Sequence, residues 1–375
     1  ACREPDMKWR LAVLGGDGVG PEVTEASLEV LRATAERFGH ELTADLKEVG
    51  FAAYEQFGTP LPEDTLAACR SADAVLLGAV GDPRSEGVPV ELRPEAALLA
   101  LRKEMGCYAN LRPVRLLPAL ASASPLRPEI VDGTDLVIVR ELAGGLYYGE
   151  PRGPVEDGRA AVDTMKYHQD EVVRIAKMAF ETARGRRKSV LSVDKANVLH
   201  SSRLWRRVVD EVAEEYPDVE CDHMLVDRAA MELLLNPSTF DVMLTPNLFG
   251  DVLSDEAAAV VGSIGLLASA SIGSGGGIFE PIHGSAPDIA GTGTANPLAM
   301  ILSAALLLRH VYSLDEESAA IESAVEQVLE DGLRTRDLAR NGEGTVGTAE
   351  VGAAVAAKIA NMEAEIVAAD CDARE

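Results

Sequence analysis

The middle of the chain repeats one arrangement, in which a short apolar run leads into an amphipathic stretch of helical length. The apolar runs cover residues 189–193, 219–226 and 240–245. A helical stretch follows each of them. This alternation predicts an α/β fold. In open sheets of this class ligands bind beyond the carboxyl ends of the strands, where Lys195, Asp227 and Asp251 stand in this sequence.

The flanking sequence extends the alternation. Further strands are predicted over residues 10–14, 74–77 and 135–139, and further helices up to residue 38 and over residues 94–103, 169–184, 202–216, 297–310 and 316–333. Residues 144–162, rich in Gly, Pro and Tyr, are expected to form a protruding arm. Residues 279–297 are expected to form a long binding loop. A chain of 375 residues is long for a single core, so one large or two interlocked domains are expected.

A Gly-rich turn, GGDGVGP at residues 15–21, follows the first strand. The dinucleotide fingerprint G-x-G-x-x-G, begun at Gly16, would need glycine where Pro21 stands. No acidic residue closes a plausible second strand either. The turn therefore predicts a tight strand-to-helix connection, and the fold is expected to differ from the Rossmann fold.

The net charge of −26 excludes two classes of partner. Such a surface repels nucleic acid phosphates and anionic lipid, and no apolar run of 18 residues is present to span a membrane. Only eight of the 35 basic residues are Lys. Abundant carboxylates with scarce Lys resemble the surface of proteins from a salty cytoplasm, which predicts a dependence on salt.

The cysteines indicate a reducing compartment. They are Cys2, Cys69, Cys107, Cys221 and Cys371. They are odd in number, scattered and without metal-site spacing, which predicts free thiols and a cytoplasmic protein.

Asp251 and Asp255 are four residues apart on a predicted helix, so both lie on one face. Two carboxylates at that spacing repel each other, and a hard cation such as Mg²⁺ or Mn²⁺ would remove the repulsion. The alternative is a solvated acidic face. The apolar neighbours Leu248, Phe249, Val252 and Leu253 indicate a half-buried setting, where unpaired carboxylates are costly. The pair is therefore a candidate metal site.

Three arginines, Arg102, Arg112 and Arg140, are candidates for binding a dicarboxylate, because a guanidinium holds a carboxylate with two parallel hydrogen bonds. Leu98 and Leu99 precede Arg102 by four and three residues, so all three can share one helical face. A leucine wall beside a carboxylate clamp would favour a branched apolar substituent. Surface salt bridges and ordinary helix packing remain the alternatives.

Two further residues are candidates for proton transfer. Lys195 follows an apolar strand and could act as a base near a metal. Tyr147 lies in the flexible segment GGLYYG at residues 144–149 and could donate a proton.

Five stretches together resemble the isopropylmalate/isocitrate dehydrogenase family of metal-dependent oxidative decarboxylases of β-hydroxyacids. They are GGDGVGPE at 15–22, VRELAGGLYYGEPRG at 139–153, DKAN at 194–197, NLFGDVLSD at 247–255 and FEPIHGSAPDIAGTGTANP at 279–297. The resemblance runs from about residue 7 to residue 360.

The resemblance implies a large mixed sheet in two interlocked domains. The cofactor-binding domain would comprise residues 7–108 and 262–360. The domain for substrate, metal and dimerisation would comprise residues 109–261, with a dimer arm at about 144–165, and residues 361–375 would form an acidic tail. A homodimer is implied, in which Lys195 and Asp227 reach the active site of the partner subunit.

The resemblance also implies a role for each site residue. Arg102, Arg112 and Arg140 would bind the malate carboxylates, and Asp227, Asp251 and Asp255 would hold Mg²⁺ or Mn²⁺, with Asp227 also beside the substrate. Lys195 would take the hydroxyl proton and Tyr147 would protonate the enolate.

The resemblance implies that Glu95, Leu98 and Leu99 lie beside the substrate and that their segment selects which substrate binds. Isocitrate enzymes carry Ser and Asn in this segment to meet a third carboxylate, whereas Leu98 and Leu99 stand here and fit an isopropyl group. The implied reaction is oxidative decarboxylation of (2R,3S)-3-isopropylmalate to 4-methyl-2-oxopentanoate and CO₂ in leucine biosynthesis. A D-malate or tartrate dehydrogenase of the same family is the alternative. A non-catalytic regulatory subunit would lack a metal or Lys position, and none is missing here.

The cofactor implied is NAD. The residues that would cradle it are His283, Gly284, Ser285, Ala286, Asp288, Ile289 and Asn296. Asp288 can accept both ribose hydroxyls and would repel the 2′-phosphate of NADP.

Overall fold

A ten-stranded mixed sheet organises the chain, which this computed structural model describes over residues 7–273, 276–340 and 343–362. The strands are β1 (Lys8–Gly16), β2 (Glu41–Lys47), β3 (Ala74–Ala79), β4 (Cys107–Arg115), β5 (Asp135–Glu141), β6 (Gly153–Val155), β7 (Ala160–Val162), β8 (Ser189–Asp194), β9 (Glu220–Leu225), β10 (Val242–Thr245), β11 (Ala268–Gly273) and β12 (Gly276–Pro281). The order in the main sheet is β2-β1-β3-β12-β11-β4-β5-β10-β8-β9.

The central strands are antiparallel and the outer ones are parallel. β11 pairs antiparallel with both β12 and β4, and β4 pairs antiparallel with β5. The remaining pairs, from β2 to β12 on one side and from β5 to β9 on the other, run parallel. This confirms the predicted mixed α/β sheet and its difference from an all-parallel dinucleotide fold.

Helices cover the sheet. They are α1 (Gly20–Phe38), α2 (Gly50–Phe57), α3 (Glu63–Ser71), α4 (Pro94–Glu104), α5 (Pro128–Val131), α6 (Gln169–Arg184), α7 (His200–Ala213), α8 (Val226–Leu235), α9 (Asn247–Val261), α10 (Leu298–Tyr312), α11 (Asp315–Glu330) and α12 (Thr348–Ala360). Within the described ranges, no helix is both long enough and apolar enough to cross a membrane.

Successive side chains of β4 and β5 point alternately to the two faces of the sheet, one covered by the apolar core and the other carrying the candidate site. Leu111 and Val137 belong to the largest apolar cluster, which also contains residues of α1, α6 and α10. Side chains one residue further along a strand point to the opposite face. Arg112 and Arg140 therefore lie on the other face of the sheet. Ile138 is on that face too, where it packs in the apolar cluster that contains residues of α9.

The predicted loop at 279–297 is shorter in the structure, because its first residues belong to β12. Ile278 and Phe279 pair with β3, and the whole strand pairs with β11. The glycines at its start hid the strand pattern. In the region predicted as an arm, β6 and β7 pair with each other as a separate small sheet. The predicted acidic tail at 361–375 lies, from residue 363 onward, outside the described residues.

Candidate active site

The three predicted arginines are buried close together on one side of the sheet. Arg140 lies at the end of β5 and is 1% exposed, Arg112 lies on β4 and Arg102 on α4. Burial, and then repulsion from Arg140, lower the pKa of Arg112 to about 9. This cluster attracts anions, because water is largely excluded from around its charges.

Arg140 is held by the start of α9. Its Nε and Nη2 donate to Oδ1 of Asn247 at 3.1 and 2.8 Å, and Nε also donates to the Asn247 carbonyl at 2.9 Å. Gly250 allows this approach, since a Cβ there would lie 2.7 Å from Cγ of Arg140. Asn247 was missed as a separate site residue, although it opens the motif at 247–255.

Asp251 is the carboxylate around which the site is arranged. Its Oδ1 accepts a hydrogen bond of 2.6 Å from Arg140 and lies 3.5 Å from Arg112. Its Oδ2 accepts from the hydroxyl of Tyr147 at 2.7 Å. Its pKa is lowered: burial opposes ionisation, and Arg140, Tyr147 and the other arginines outweigh it. The structure therefore brings together four of the predicted residues, from three separate segments of the chain.

Arg102 has a carboxylate partner that the sequence did not indicate. Its Nη2 donates to Oε1 of Glu280 on β12 at 2.8 Å, and both side chains are about 10% exposed. The Nε of Arg102 is buried and has no hydrogen-bond partner among the described residues. Such a donor is costly unless a ligand satisfies it, so a carboxylate of a bound substrate would fit here.

The two carboxylates on α9 fit half of a metal site. Asp255 has a raised pKa, first because of its partial removal from water and also because of the charge of Asp251. A divalent cation would relieve both effects. In the described part of one chain, no cluster of three His, Cys, Asp or Glu residues could hold a metal. Residues 251 and 255 therefore supply donors of the right kind but not a complete ligand set.

Lys195 and Asp227 pair with each other rather than with Asp251. The Nζ of Lys195 donates to Oδ1 of Asp227 at 2.5 Å, and the Asp227 side chain is 64% exposed. Asp194 is fully buried and fixes the turn that carries Lys195. Its Oδ1 accepts a hydrogen bond from the backbone N–H of Ala196, and its two oxygens accept hydrogen bonds from the guanidinium of Arg206. A Lys–Asp pair is thus held on the surface at the ends of β8 and β9.

The predicted apolar wall divides into two different environments. α4 spans Pro94–Glu104, so Leu98, Leu99 and Arg102 share a helix as expected. Leu98 packs against the apolar cluster that contains Leu101. Leu99 is partly buried and belongs to none of the apolar clusters of the described residues, so it does not pack against the core as Leu98 does.

Glu95, which the resemblance places among the substrate-binding residues, lies near Ser285 of the segment predicted to bind the cofactor. A Cβ added at Gly81 would lie 3.8 Å from Oε1 of Glu95 and 3.6 Å from Oγ of Ser285, so both side chains border the same glycine.

A cavity of about 620 Å³ lies beside the segment predicted to bind the cofactor. It is lined by the predicted residues His283, Gly284, Ala286, Asp288, Ile289 and Asn296. Predicted Ser285 is absent from this lining, and its carbonyl accepts from the backbone of Val19 at 2.8 Å. The lining residues that the sequence did not indicate are Val19, Ser263, Ile264, Gly265, Thr294, Ala295, Arg336 and Asp337. Val19, Thr294 and Ala295 lie within the motifs at 15–22 and 279–297 but were not predicted individually, and no motif covered Ser263, Ile264, Gly265, Arg336 and Asp337.

His283 offers an unused polar atom in this cavity. Its Nδ1 lies 2.9 Å from the Gly284 carbonyl, and its Nε2 is buried without a partner. Burial lowers the pKa of His283. A neutral ring that donates from Nδ1 leaves Nε2 as an acceptor, which fits a donor such as an adenine amino group.

The Gly-rich turn supports this cavity structurally. Asp17 accepts from the backbone of Phe51, Ala52 and Gly81 at 2.8–2.9 Å. Gly18 has φ +59, and a Cβ there would lie 1.9 Å from the carbonyl oxygen of Ser285. The turn is thus a tight connection braced against the cofactor loop, as its sequence predicted.

The buried arginine cluster and the nucleotide-sized cavity together suit an enzyme that acts on a small anionic molecule. Comparison with known proteins narrows the class. The family model described as isocitrate/isopropylmalate dehydrogenase matches residues 10–355. The chain therefore belongs to the isocitrate/isopropylmalate dehydrogenase family.

Individual relatives agree with this assignment. The chain is 57% identical over 346 residues to the 3-isopropylmalate dehydrogenase of Geobacillus kaustophilus, covering 92% of this chain and 93% of that protein. It is 54% identical over 341 residues to the enzyme of the same name from Bacillus subtilis, covering 90% and 93%. Among solved structures, the isocitrate dehydrogenase of Methylococcus capsulatus superposes with a TM-score of 0.83 at 37% identity, covering 94% of this chain and 99% of that one.

Proposed function

We propose that this chain catalyses the NAD-dependent oxidative decarboxylation of (2R,3S)-3-isopropylmalate to 4-methyl-2-oxopentanoate and CO₂, the leucine-biosynthetic reaction, in the cytoplasm. The observation that carries the proposal is the position of Leu99, partly exposed on the same helix as the buried Arg102. An apolar side chain three residues from a carboxylate-binding arginine matches a malate with a branched alkyl substituent. Relatives more than 50% identical bear the name of this activity.

The arginines bind and orient the substrate in this proposal. Arg112 and Arg140 both lie close to Asp251, and the Nε of Arg102 has no hydrogen-bond partner among the described residues. The three guanidinium groups can therefore hold two carboxylates of the substrate. Asp251 and Asp255, with Asp227 of a second copy, would hold Mg²⁺ or Mn²⁺. When bound, the cation would supply Lewis acidity and NAD⁺ would supply the hydride acceptor.

Two residues move protons. Lys195 removes the proton of the substrate hydroxyl, which requires that its ammonium first lose a proton to water. Tyr147 returns a proton to the carbon that loses CO₂. The pKa of Tyr147 is raised to about 12 by burial and by its bond to Asp251, so the phenol stays protonated at neutral pH and can donate.

A homodimer completes the site. Asp227 is exposed and pairs with the partly buried Lys195 in one chain, apart from Asp251. Large apolar side chains are exposed on the same elements, with Met231 on α8 59% exposed and Val252 on α9 61% exposed. The half-buried setting predicted for the carboxylates fits Asp251, which is partly buried, although its neighbour Val252 is exposed in a single chain. Burial of these side chains against a second copy would bring that copy's Lys195 and Asp227 beside Asp251.

The cofactor preference follows from the charges in the cavity. Asp288 lines the cavity and can accept hydrogen bonds from ribose hydroxyls, whereas a 2′-phosphate would bring a second negative charge against it. NAD is therefore the proposed cofactor.

The decisive experiment measures NADH formation with 3-isopropylmalate, isocitrate, D-malate and tartrate, each with Mn²⁺ and with EDTA. We expect the highest kcat/KM with 3-isopropylmalate and loss of activity in EDTA. Faster turnover of D-malate or tartrate would replace the proposed substrate. Full activity in EDTA would overturn the metal role of Asp251 and Asp255.

A further inference from the structure

Glu141 is a fully buried carboxylate that the proposed reaction does not use. It follows Arg140 at the end of β5 and is 0% exposed. Its Oε1 accepts from the backbone N–H of Ala143 at 2.8 Å, and its Oε2 accepts from that of Gly144 at 2.9 Å. Both oxygens therefore hold the first turn of the loop that leads to Tyr147.

The rest of this loop is fixed by the start of α9 and by the segment before α6. Nδ2 of Asn247 donates to the Gly144 carbonyl at 3.1 Å, and the Gly145 N–H donates to the Lys166 carbonyl at 3.0 Å. A Cβ on Gly145 would lie 2.3 Å from the hydroxyl of Tyr167. The loop therefore has little freedom while Glu141 holds its beginning.

We propose that Glu141 is a positioning residue that anchors residues 143–147 and thereby aims the Tyr147 hydroxyl at Asp251. The proposal rests on the proposed function, because the role of Tyr147 as proton donor belongs to that function. Glu141 acts through the loop backbone, to which both of its oxygens are hydrogen-bonded.

The anchor is sensitive to protonation. Burial raises the pKa of Glu141 to about 7, and the two backbone N–H groups oppose this effect. The charged or titratable groups around it are Arg174, 3.9 Å away, and Glu171 on α6, Tyr167 ahead of α6, and Arg140 and Tyr148 along its own segment. β4 places Ala109 opposite Glu141, and β10 (VMLT) carries no titratable residue.

Ionisation has opposite effects on the loop and on the fold. A carboxylate accepts both N–H bonds, whereas the protonated form turns one oxygen into a donor. The loop is therefore held best above pH 7. Because the folded-state pKa lies above that of a free glutamate, stability contributed by the neutral form is lost as the pH rises through about 7.

The test compares wild type with Glu141→Gln, which cannot ionise, using 3-isopropylmalate, NAD⁺ and Mn²⁺ between pH 5.5 and 9. We expect the variant to lose kcat roughly ten- to a hundredfold at pH 8, with KM changed less than about threefold, because a misplaced proton donor slows chemistry more than binding. Near pH 6 the gap should narrow, since wild-type Glu141 is then largely neutral. An unchanged kcat at pH 8, or a gap that stays constant with pH, would overturn the proposal.

Glu317→Gln is the matched control. Glu317 is also buried, but its carboxylate is hydrogen-bonded to His40 rather than to the loop that carries Tyr147. It should leave the shape of the pH profile unchanged. If Glu141→Gln does not fold, Glu141→Asp replaces it: it retracts the carboxylate by about 1.5 Å, and it should keep the pH dependence but lower kcat. Wild-type kcat in Glu141→Asp would contradict the anchor.

Hydrogen exchange separates this inference from the proposed function. If wild type turns over none of the four substrates, the proposed function fails while the loop can still be measured. We expect the amides of Ala143 and Gly144 to be less protected at pH 6 than at pH 8 in wild type, after correction for intrinsic rates, and equally protected at both in Glu141→Gln. Equal protection at both pH values in wild type would contradict the inference.

Discussion

The hydroxyl of Tyr147 donates a 2.7 Å hydrogen bond to Oδ2 of Asp251, 104 residues further along the chain. The proposed proton donor and a proposed metal ligand are therefore direct partners. Arg140 takes the other oxygen of the same carboxylate at 2.6 Å. A cation that binds Asp251 competes with both bonds, which would free the Tyr147 hydroxyl for the substrate.

Removing the Tyr147 hydroxyl should slow the chemical step. Tyr147→Phe is expected to lower kcat by roughly 10²- to 10⁴-fold, the usual contribution of a positioned general acid, with little change in KM. NADH and keto-acid formation are followed together. Tyr216→Phe, which alters a tyrosine stacked on Phe180, is the control. A kcat near the wild-type value would remove Tyr147 from the mechanism.

Metal binding can be measured without turnover. Mn²⁺ at 100 times its Kd should stabilise the folded state by about 2.7 kcal/mol and raise Tm. Asp255→Asn removes one ligand and one of two neighbouring negative charges, so the Tm rise should shrink sharply. Glu256→Gln, at the next position of α9, should keep it. An equal Tm rise in Asp255→Asn would exclude Asp255 as a ligand.

The two leucines of α4 should have separable effects. Leu99→Ala is expected to lower kcat/KM for 3-isopropylmalate by roughly ten- to two-hundredfold, the range for lost apolar contact in a pocket, and to leave D-malate nearly unaffected. Leu98→Ala should instead lower Tm, because Leu98 packs against the core. Equal losses on both substrates with Leu99→Ala would argue against a contact with the isopropyl group.

Asp288 should determine cofactor choice. Asp288→Asn removes the charge that opposes a 2′-phosphate, so kcat/KM with NADP should rise relative to NAD by about tenfold or more, equivalent to about 1.4 kcal/mol. The ratio of initial rates with the two cofactors measures this. Wild type that uses NADP as well as NAD would contradict the assignment before any substitution.

The acidic surface should make the protein depend on salt. At low ionic strength the net charge of −26 acts against the compact state, and added KCl screens it. We expect Tm and activity to rise between low and multimolar KCl. A Tm that does not change over that range would refute a halophilic character.

The sequence determined the local structure wherever periodicity was strong. α6 was predicted with the bounds that the structure shows, and β5 and β8 within two residues. β2 was missed, because this edge strand has the largely polar sequence ELTADLK. The motifs also predicted Arg140, Tyr147 and Asp251 as residues of one site, and in the structure Arg140 and Tyr147 both donate hydrogen bonds to Asp251.

Only the tertiary structure decided which partners the buried charged residues find. Glu280 binds Arg102 across 178 residues because β12 is inserted between β3 and β11, an order that local patterns do not encode. Glu141 is buried at the end of β5, where its carboxylate accepts from the backbone of Ala143 and Gly144 and burial raises its pKa. Hydrophobic periodicity reports which side of an element is buried, whereas partners of buried charges depend on strand order and on the exclusion of water, which exist only once the chain has folded.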